Sequence, residues 1–131
     1  MTEGEFLAKM IGKPWVKNAC GFDAVDCWGL VVMYYRHVLG IDIPEGKGDF
    51  AAGYYRHVGE WRKIDRQAAT AVCFTMFSGN APTHCGVILS NGAALHAYGN
   101  ENTTGGTVQI NTVRALQKLY GRIEFYAHHR Q

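Results

Sequence analysis

Asp26-Cys27-Trp28-Gly29-Leu30 constrains this chain more than any other stretch. A loop from Asn18 to Val25 ends there, and Cys27, Leu30, Val31, Tyr34, Tyr35 and Val38 follow at mostly three- and four-residue spacing. That spacing predicts a helix over Cys27–Leu39, stopped by Gly40, with the cysteine in its first turn. First-turn N–H groups have no intrahelical acceptor and lie at the positive end of the dipole. Both effects favour thiolate over thiol and lower a cysteine pKa from about 8.5 toward 7 or below. A thiolate works as a catalyst only beside a base and an orienting group. His84 and His96 are the downstream candidates.

The 131 residues are enough for one domain with a real core, and the expectation is a single domain over 1–131. Hydrophobic residues at 47% and charged residues at 18% argue against disorder. A net charge of +2 is too small to imply nucleic acid, and the basic residues are scattered apart from Arg122, His128, His129 and Arg130. Met1 to Glu5 lacks the order of a signal peptide, and no apolar run approaches the roughly 18 residues of a membrane span. Synthesis in the cytoplasm, with any later export by another route, is the expectation. Cys20, Cys27, Cys73 and Cys85 include no Cys-x-x-Cys pair, which disfavours a zinc knuckle or a thioredoxin-like site. Reduced thiols are expected, with Cys73 and Cys85 as small core residues.

Glu5–Ile11 reads as a first helix, halted by Gly12 and Pro14. A further helix is expected over Asp49–Trp61, a strand over Ala68–Phe77 and a turn over Ser78–Pro82. Thr83–Leu89 and Ala93–Tyr98 read as a hairpin, and Gly99–Gly106 as a polar loop. Thr107–Asn111 reads as a strand, Thr112–Leu119 as a helix and Arg122–His128 as a last strand. Helices first and an antiparallel sheet after them make an α+β fold. Tyr34-Tyr35-Arg36-His37-Val38 recurs at Tyr54–Val58, but the flanks differ and the aromatics are read as packing residues.

Register decides whether the histidines meet. A two-residue Asn91-Gly92 turn sends His84 and His96 to opposite faces. A three-residue Ser90-Asn91-Gly92 loop with left-handed Gly92 sets Leu89 against Ala93. His96 then stands opposite Gly86 and diagonal to His84, roughly 7–8 Å away at the backbone. A catalytic pair requires that loop, with Gly86 supplying space. Alone, a strand histidine is more often structural, and a helix-start cysteine more often core.

Four segments in order resemble the NlpC-like family of papain-fold cysteine peptidases. They are Gly12-Lys13-Pro14-Trp15, Asp26-Cys27-Trp28-Gly29-Leu30, His84-Cys85-Gly86-Val87 and His96-Ala97. The resemblance covers roughly residues 5 to 100. It implies a papain-like α+β fold in which N-terminal helices carry the nucleophile and a central antiparallel sheet carries the histidines. It makes Cys27 the nucleophile, His84 the general base and His96 the orienting group, without cofactor or metal. Trp15 stands where the family has a tyrosine that resembles an oxyanion donor, and indole N–H still donates one hydrogen bond. Trp28 replaces serine after the nucleophile. Ala69-Thr70 replaces the family's Gly-Asp. Trp15, Asp26 and Trp28 are thus the expected oxyanion and substrate-binding residues.

The activity the resemblance implies is hydrolysis of peptidoglycan stem peptides, at the γ-D-glutamyl–diaminopimelate bond. Trp28 and the ending Phe125–Arg130 look like the phage-tail and prophage branch, which implies tail-tip proteins as partners and a virion-associated or periplasm-delivered protein. A tail-assembly protein that keeps only the fold, or a cell-wall amidase effector with the same Cys/His chemistry, are the alternatives. A metal site from Cys85, His84 and His96 is disfavoured, because adjacent strand residues point to opposite faces.

Overall fold

The computed structural model describes residues 1–46, 50–100, 102 and 104–131. Thr2 starts the first helix, α1 (Glu3–Met10), with a capping box: its hydroxyl accepts the Glu5 N–H, and the Glu5 carboxylate accepts the Thr2 N–H. Phe6 and Met10 are fully buried, and Phe6 meets Tyr34 edge-on. Helix α2 (Cys27–Tyr34) is apolar on every side from Leu30 to Tyr34 and is buried accordingly.

The helix expected to run to Leu39 changes register at Tyr35. Tyr35–Leu39 is a π-turn that ends on left-handed Gly40. Tyr35 Oη there accepts the Cys73 N–H at 3.0 Å and donates to Gln131 Oε1 at 2.8 Å. Those two tertiary bonds offset the weaker hydrogen-bond geometry of a π-turn.

Helix α3 (Phe50–His57) lies within the segment expected to be helical; the expected start at Asp49 falls outside the described residues. The helix also ends sooner than expected. Val58–Glu60 tighten into a 3₁₀ turn, and Trp61 opens a strand, β1 (Trp61–Ile64). The other strands are β2 (Val72–Ser78), β3 (Ala81–Ile88), β4 (Ala94–Ala97), β5 (Val108–Asn111) and β6 (Arg122–His128). Helix α4 (Val113–Tyr120) joins the last two, capped by Thr112 Oγ1 on the Ala115 N–H. The expected Gly99–Gly106 loop includes residues 101 and 103, which are not among those described. The repeated aromatic segment divides by context: Tyr34 and Tyr35 are buried, whereas Tyr55 is exposed.

The six strands form one antiparallel sheet in the order β1-β6-β2-β3-β4-β5. Alternation along β2 and β3 gives each face its own core. Cys73, Cys85, Val87 and Leu95 pack with α1 and α2. Phe74, Met76, Ile88 and Ala94 pack with Val113 and Leu116 of α4. This is the expected α+β arrangement, with α2 and α4 on opposite faces. Among the described residues no helix is long and apolar enough to cross a membrane.

Candidate active site

Cys27 owes its position to its neighbours. Asp26 caps α2, with Oδ1 accepting the Gly29 N–H at 2.7 Å and Oδ2 accepting the Asn18 N–H at 2.9 Å. The loop is drawn so close that a Cβ at Gly29 would collide with the Ala19 carbonyl oxygen. Glycine two residues after the cysteine is therefore a steric requirement of this loop–helix junction. Asp26, expected to bind substrate, has both carboxylate oxygens engaged in this cap, although it borders the cleft beside Cys27.

The hairpin takes the three-residue loop. Leu89 N–H donates to the Ala93 carbonyl at 2.8 Å, Gly92 N–H returns to the Leu89 carbonyl, and Gly92 has φ +85°. The β3–β4 ladder pairs Val87 with Leu95 and Ile88 with Ala94, a register that carries His96 toward Gly86. A side chain at Gly86 would meet the Leu95 carbonyl oxygen and stand 2.6 Å from Phe74 Cζ, so the strands can close here only on glycine. On the resulting shared face, His84 Nε2 lies 2.9 Å from His96 Nδ1, and both residues are buried.

The thiol is half-buried at the start of α2. Hydrogen bonding from the Cys85 side chain is the largest influence on it and lowers its pKa. Burial opposes that effect, and hydrogen bonding and charge from His84 lower it again, so Cys27 lies well below the ordinary thiol range. Cys85 moves the other way: burial pushes it well up, and the hydrogen bond and charge of Cys27 push it further. The two thiols thus divide their roles, Cys85 keeping its proton and donating it to a Cys27 thiolate. Burial, partly offset by a hydrogen bond to Asn111, pushes the His96 pKa down to about 4. His96 is accordingly neutral at pH 7.

Three residues of this site had no role in the sequence reading. Cys85 was expected only as core; it is fully buried, yet it also acts on Cys27. Asn111 at the end of β5 puts Oδ1 2.7 Å from His96 Nε2. Tyr120 at the end of α4 stacks on His84, with ring centroids 4.7 Å apart and planes 16° from parallel. Asn111 reads as the end of a strand and Thr112 as the start of a helix, and nothing local ties either Asn111 or Tyr120 to a histidine.

The two tryptophans occupy different surroundings. Trp15 bridges to Val25 and packs over Gly99. Its indole Nε1 is buried without a hydrogen-bond partner among the described residues. Trp28 donates its indole N–H to the Pro44 carbonyl at 2.9 Å. It forms one wall of a cavity of about 130 Å³, with Cys27, Phe50, Tyr54, Trp61 and Tyr126 among the other lining residues. The arrangement thus offers an acidic thiol, a hydrogen-bonded imidazole pair and an aromatic cleft that opens beside the sulfur. These parts suit nucleophilic acyl transfer.

Comparison with known proteins gives the family and the fold. The NlpC/P60 family model matches residues 12–121, a span that holds Cys27, His84 and His96. The fold is similar to the crystal structure of the NlpC/p60 domain of the peptidoglycan hydrolase SagA, at TM-score 0.63 and 20% identity over 93% of each chain. It is also similar to a lipoprotein-like NLP/P60 family protein from Staphylococcus aureus subsp. aureus Mu50, at TM-score 0.58 and 22% identity. That match covers 92% of this chain and 38% of the other. None of the curated proteins matches the sequence.

Proposed function

Since the chain belongs to the NlpC/P60 family, we propose that it is a cysteine peptidase that hydrolyses peptidoglycan stem peptides. The observation that carries this reading is the linked set Cys27, His84 and His96: a thiol whose pKa is lowered in part by His84, an imidazole that a second imidazole holds through its Nε2. The bond we assign is the one between γ-D-glutamyl and diaminopimelate residues. The resemblance supports that choice.

In the first step the Cys27 thiolate attacks the scissile carbonyl carbon, forming a C–S bond and an oxyanion. The Cys27 N–H, in the unpaired first turn of α2, and the indole N–H of Trp15 are the donors assigned to that oxyanion. An unsatisfied buried donor costs about 1–3 kcal/mol, so an oxyanion that accepted from Trp15 Nε1 would relieve an existing cost. Protonated His84 gives its proton to the departing amine as the C–N bond breaks, leaving a thioester. Neutral His84 then takes a proton from water, the hydroxyl attacks the thioester, and the thiolate and imidazolium return. Substrate lies along the aromatic cleft beside Trp28.

The setting we propose is phage-tail or prophage associated, with delivery to the wall from a virion or into the periplasm. Trp28 and the Phe125–Arg130 ending support that placement through their resemblance to that branch. The test of the activity is mass spectrometry of purified wall fragments incubated with wild type and Cys27→Ala. Wild type should release stem-peptide fragments, and Cys27→Ala none, with a melting temperature unchanged within a few degrees. Equal fragment release by the two proteins would remove the thiol from the chemistry.

A further inference from the structure

His84, His96 and Asn111 form a staircase across three neighbouring strands. The β3–β4 register sets Gly86 opposite His96, so His84 is its diagonal neighbour. The β4–β5 register pairs His96 with Gln109, so Asn111 is the next diagonal neighbour on the same face. Each step closes with one hydrogen bond: 2.9 Å between His84 Nε2 and His96 Nδ1, and 2.7 Å between His96 Nε2 and Asn111 Oδ1. Residue 112 then turns the chain into α4, which returns Tyr120 to stack on the first imidazole.

The proton positions follow from the last acceptor. A carbonyl oxygen has no proton to give, so His96 Nε2 must carry one and donate it to Asn111 Oδ1. A neutral imidazole has a single N–H, so His96 Nδ1 is left as a lone pair. His84 Nε2 must then donate to that lone pair, and His84 Nδ1 is the ring nitrogen that remains for Cys27. An imidazole facing the thiol through Nδ1 can both receive the sulfur's proton and pass it to a leaving group. Reversing the Asn111 amide would reverse each bond. His96 would donate from Nδ1, His84 Nε2 would have to accept, and neutral His84 would present an N–H to the thiol, with no site for its proton.

We propose that Asn111 is a positioning residue that sets the tautomers of His96 and His84, two hydrogen bonds away from the sulfur. The proposal rests on the peptidase reading for its consequence in catalysis, but its physical content is a proton location that exists without substrate. Asn111 touches neither Cys27 nor a reacting atom. The groups around His96 are His84 from β3, Asn111 from β5 and the Tyr120 ring from α4, which meets it edge-on at 6.3 Å. Asn111 is the one that presents a carbonyl oxygen to His96.

The experiment is nitrogen-15 NMR of histidine-labelled protein at pH 7 for wild type, Asn111→Leu and Asn111→Asp, paired with iodoacetamide alkylation of Cys27 and wall-fragment cleavage. Wild type should show His96 protonated on Nε2 and bare on Nδ1. Asn111→Leu fills similar space without an acceptor. It should mix the His96 tautomers and lower kcat about 10- to 100-fold, the range for losing an outer orienting partner, with KM changed less than threefold. Asn111→Asp keeps an acceptor and should restore both the tautomer and at least about a third of kcat, a readout that bulk packing would not produce. If Asn111→Leu unfolds, the wild-type and Asn111→Asp spectra still decide the matter. A wild-type His96 protonated on Nδ1, or a Leu variant with unchanged tautomer and kcat, would overturn the proposal. A protein that shows the Nε2–H tautomer but cleaves no wall fragment refutes the peptidase reading and leaves the proton assignment standing.

Discussion

The Tyr120 ring lies face to face with the His84 imidazole, 4.7 Å between centroids and 16° from parallel. Tyr120 comes from α4, on the sheet face away from α2, so the imidazole that serves Cys27 is steadied by a helix from the opposite core. Such a pair is worth about 0.5–1.5 kcal/mol beyond simple burial. Tyr120→Leu should therefore lower kcat several-fold with a small loss of stability, whereas Tyr120→Phe, which keeps the ring face, should stay within about twofold of wild type. Steady-state cleavage kinetics beside thermal melts check this, and equal loss in the two variants would show that the hydroxyl matters and the stack does not.

His96 makes a stability prediction with a definite sign. Its pKa falls from 6.5 in an exposed imidazole to about 4 in the folded protein, chiefly through burial. Between those values the unfolded chain binds a proton that the folded chain refuses. Stability is full above pH 6.5 and drains as the pH drops toward 4. At about 1.36 kcal/mol per pH unit this window is worth roughly 3 kcal/mol. Urea titrations at several pH values should show this slope in wild type and a shallower one in His96→Gln. Parallel curves would place the acid sensitivity elsewhere.

Cys85 should control the acidity of Cys27 without being reactive itself. Its hydrogen bond to the neighbouring sulfur is lost in Cys85→Ala and retained in Cys85→Ser. The pH midpoint for iodoacetamide labelling of Cys27 should move up in the alanine variant, slowing labelling several-fold at pH 7, and move less in the serine variant. Wild-type Cys85 and Cys73, both raised by burial, should label last. Peptide mapping after a timed alkylation provides the readout, and an unmoved midpoint in Cys85→Ala would break the link between the two thiols.

Two glycines should respond in opposite directions. A methyl at Gly86 has the Leu95 carbonyl oxygen and the Phe74 ring in its way, so Gly86→Ala should cost about 1–3 kcal/mol and disturb the histidine pair. A methyl at Gly53, inside α3, meets nothing within 4 Å. Gly53→Ala should stabilise the protein by up to about 1 kcal/mol, because alanine loses less backbone freedom in a helix. Chemical denaturation of the two variants, with fragment release for the first, tests both, and matching signs would contradict the steric argument.

The parts of this site that the chain writes locally are legible in the sequence. Cys27 follows a loop and opens an apolar run, and Ser90-Asn91-Gly92 carries the left-handed residue that sets the hairpin register. His84 and His96 therefore fell on one face by arithmetic. Asn111 was out of reach because its register against β4 depends on the long connection between the strands, whose length leaves the register open. Tyr120 was out of reach because a whole helix separates it from the strand that precedes it. Strand β1 was absorbed into the preceding helix: Trp61 continues the apolar spacing of α3, and Arg62-Lys63 alternate too briefly to announce a strand. The π-turn at Tyr35 was invisible for a related reason, since its hydrogen-bond partners are Cys73 and Gln131, far along the chain.

With α2 and α4 packed against opposite sides of one sheet, the sulfur and the ring that steadies its base reach the same imidazole from two different cores. A slackening of the packing under α4 would therefore reach the imidazole through the Tyr120 ring, so the tilt of a helix on the far side of the sheet tunes the group beside the sulfur.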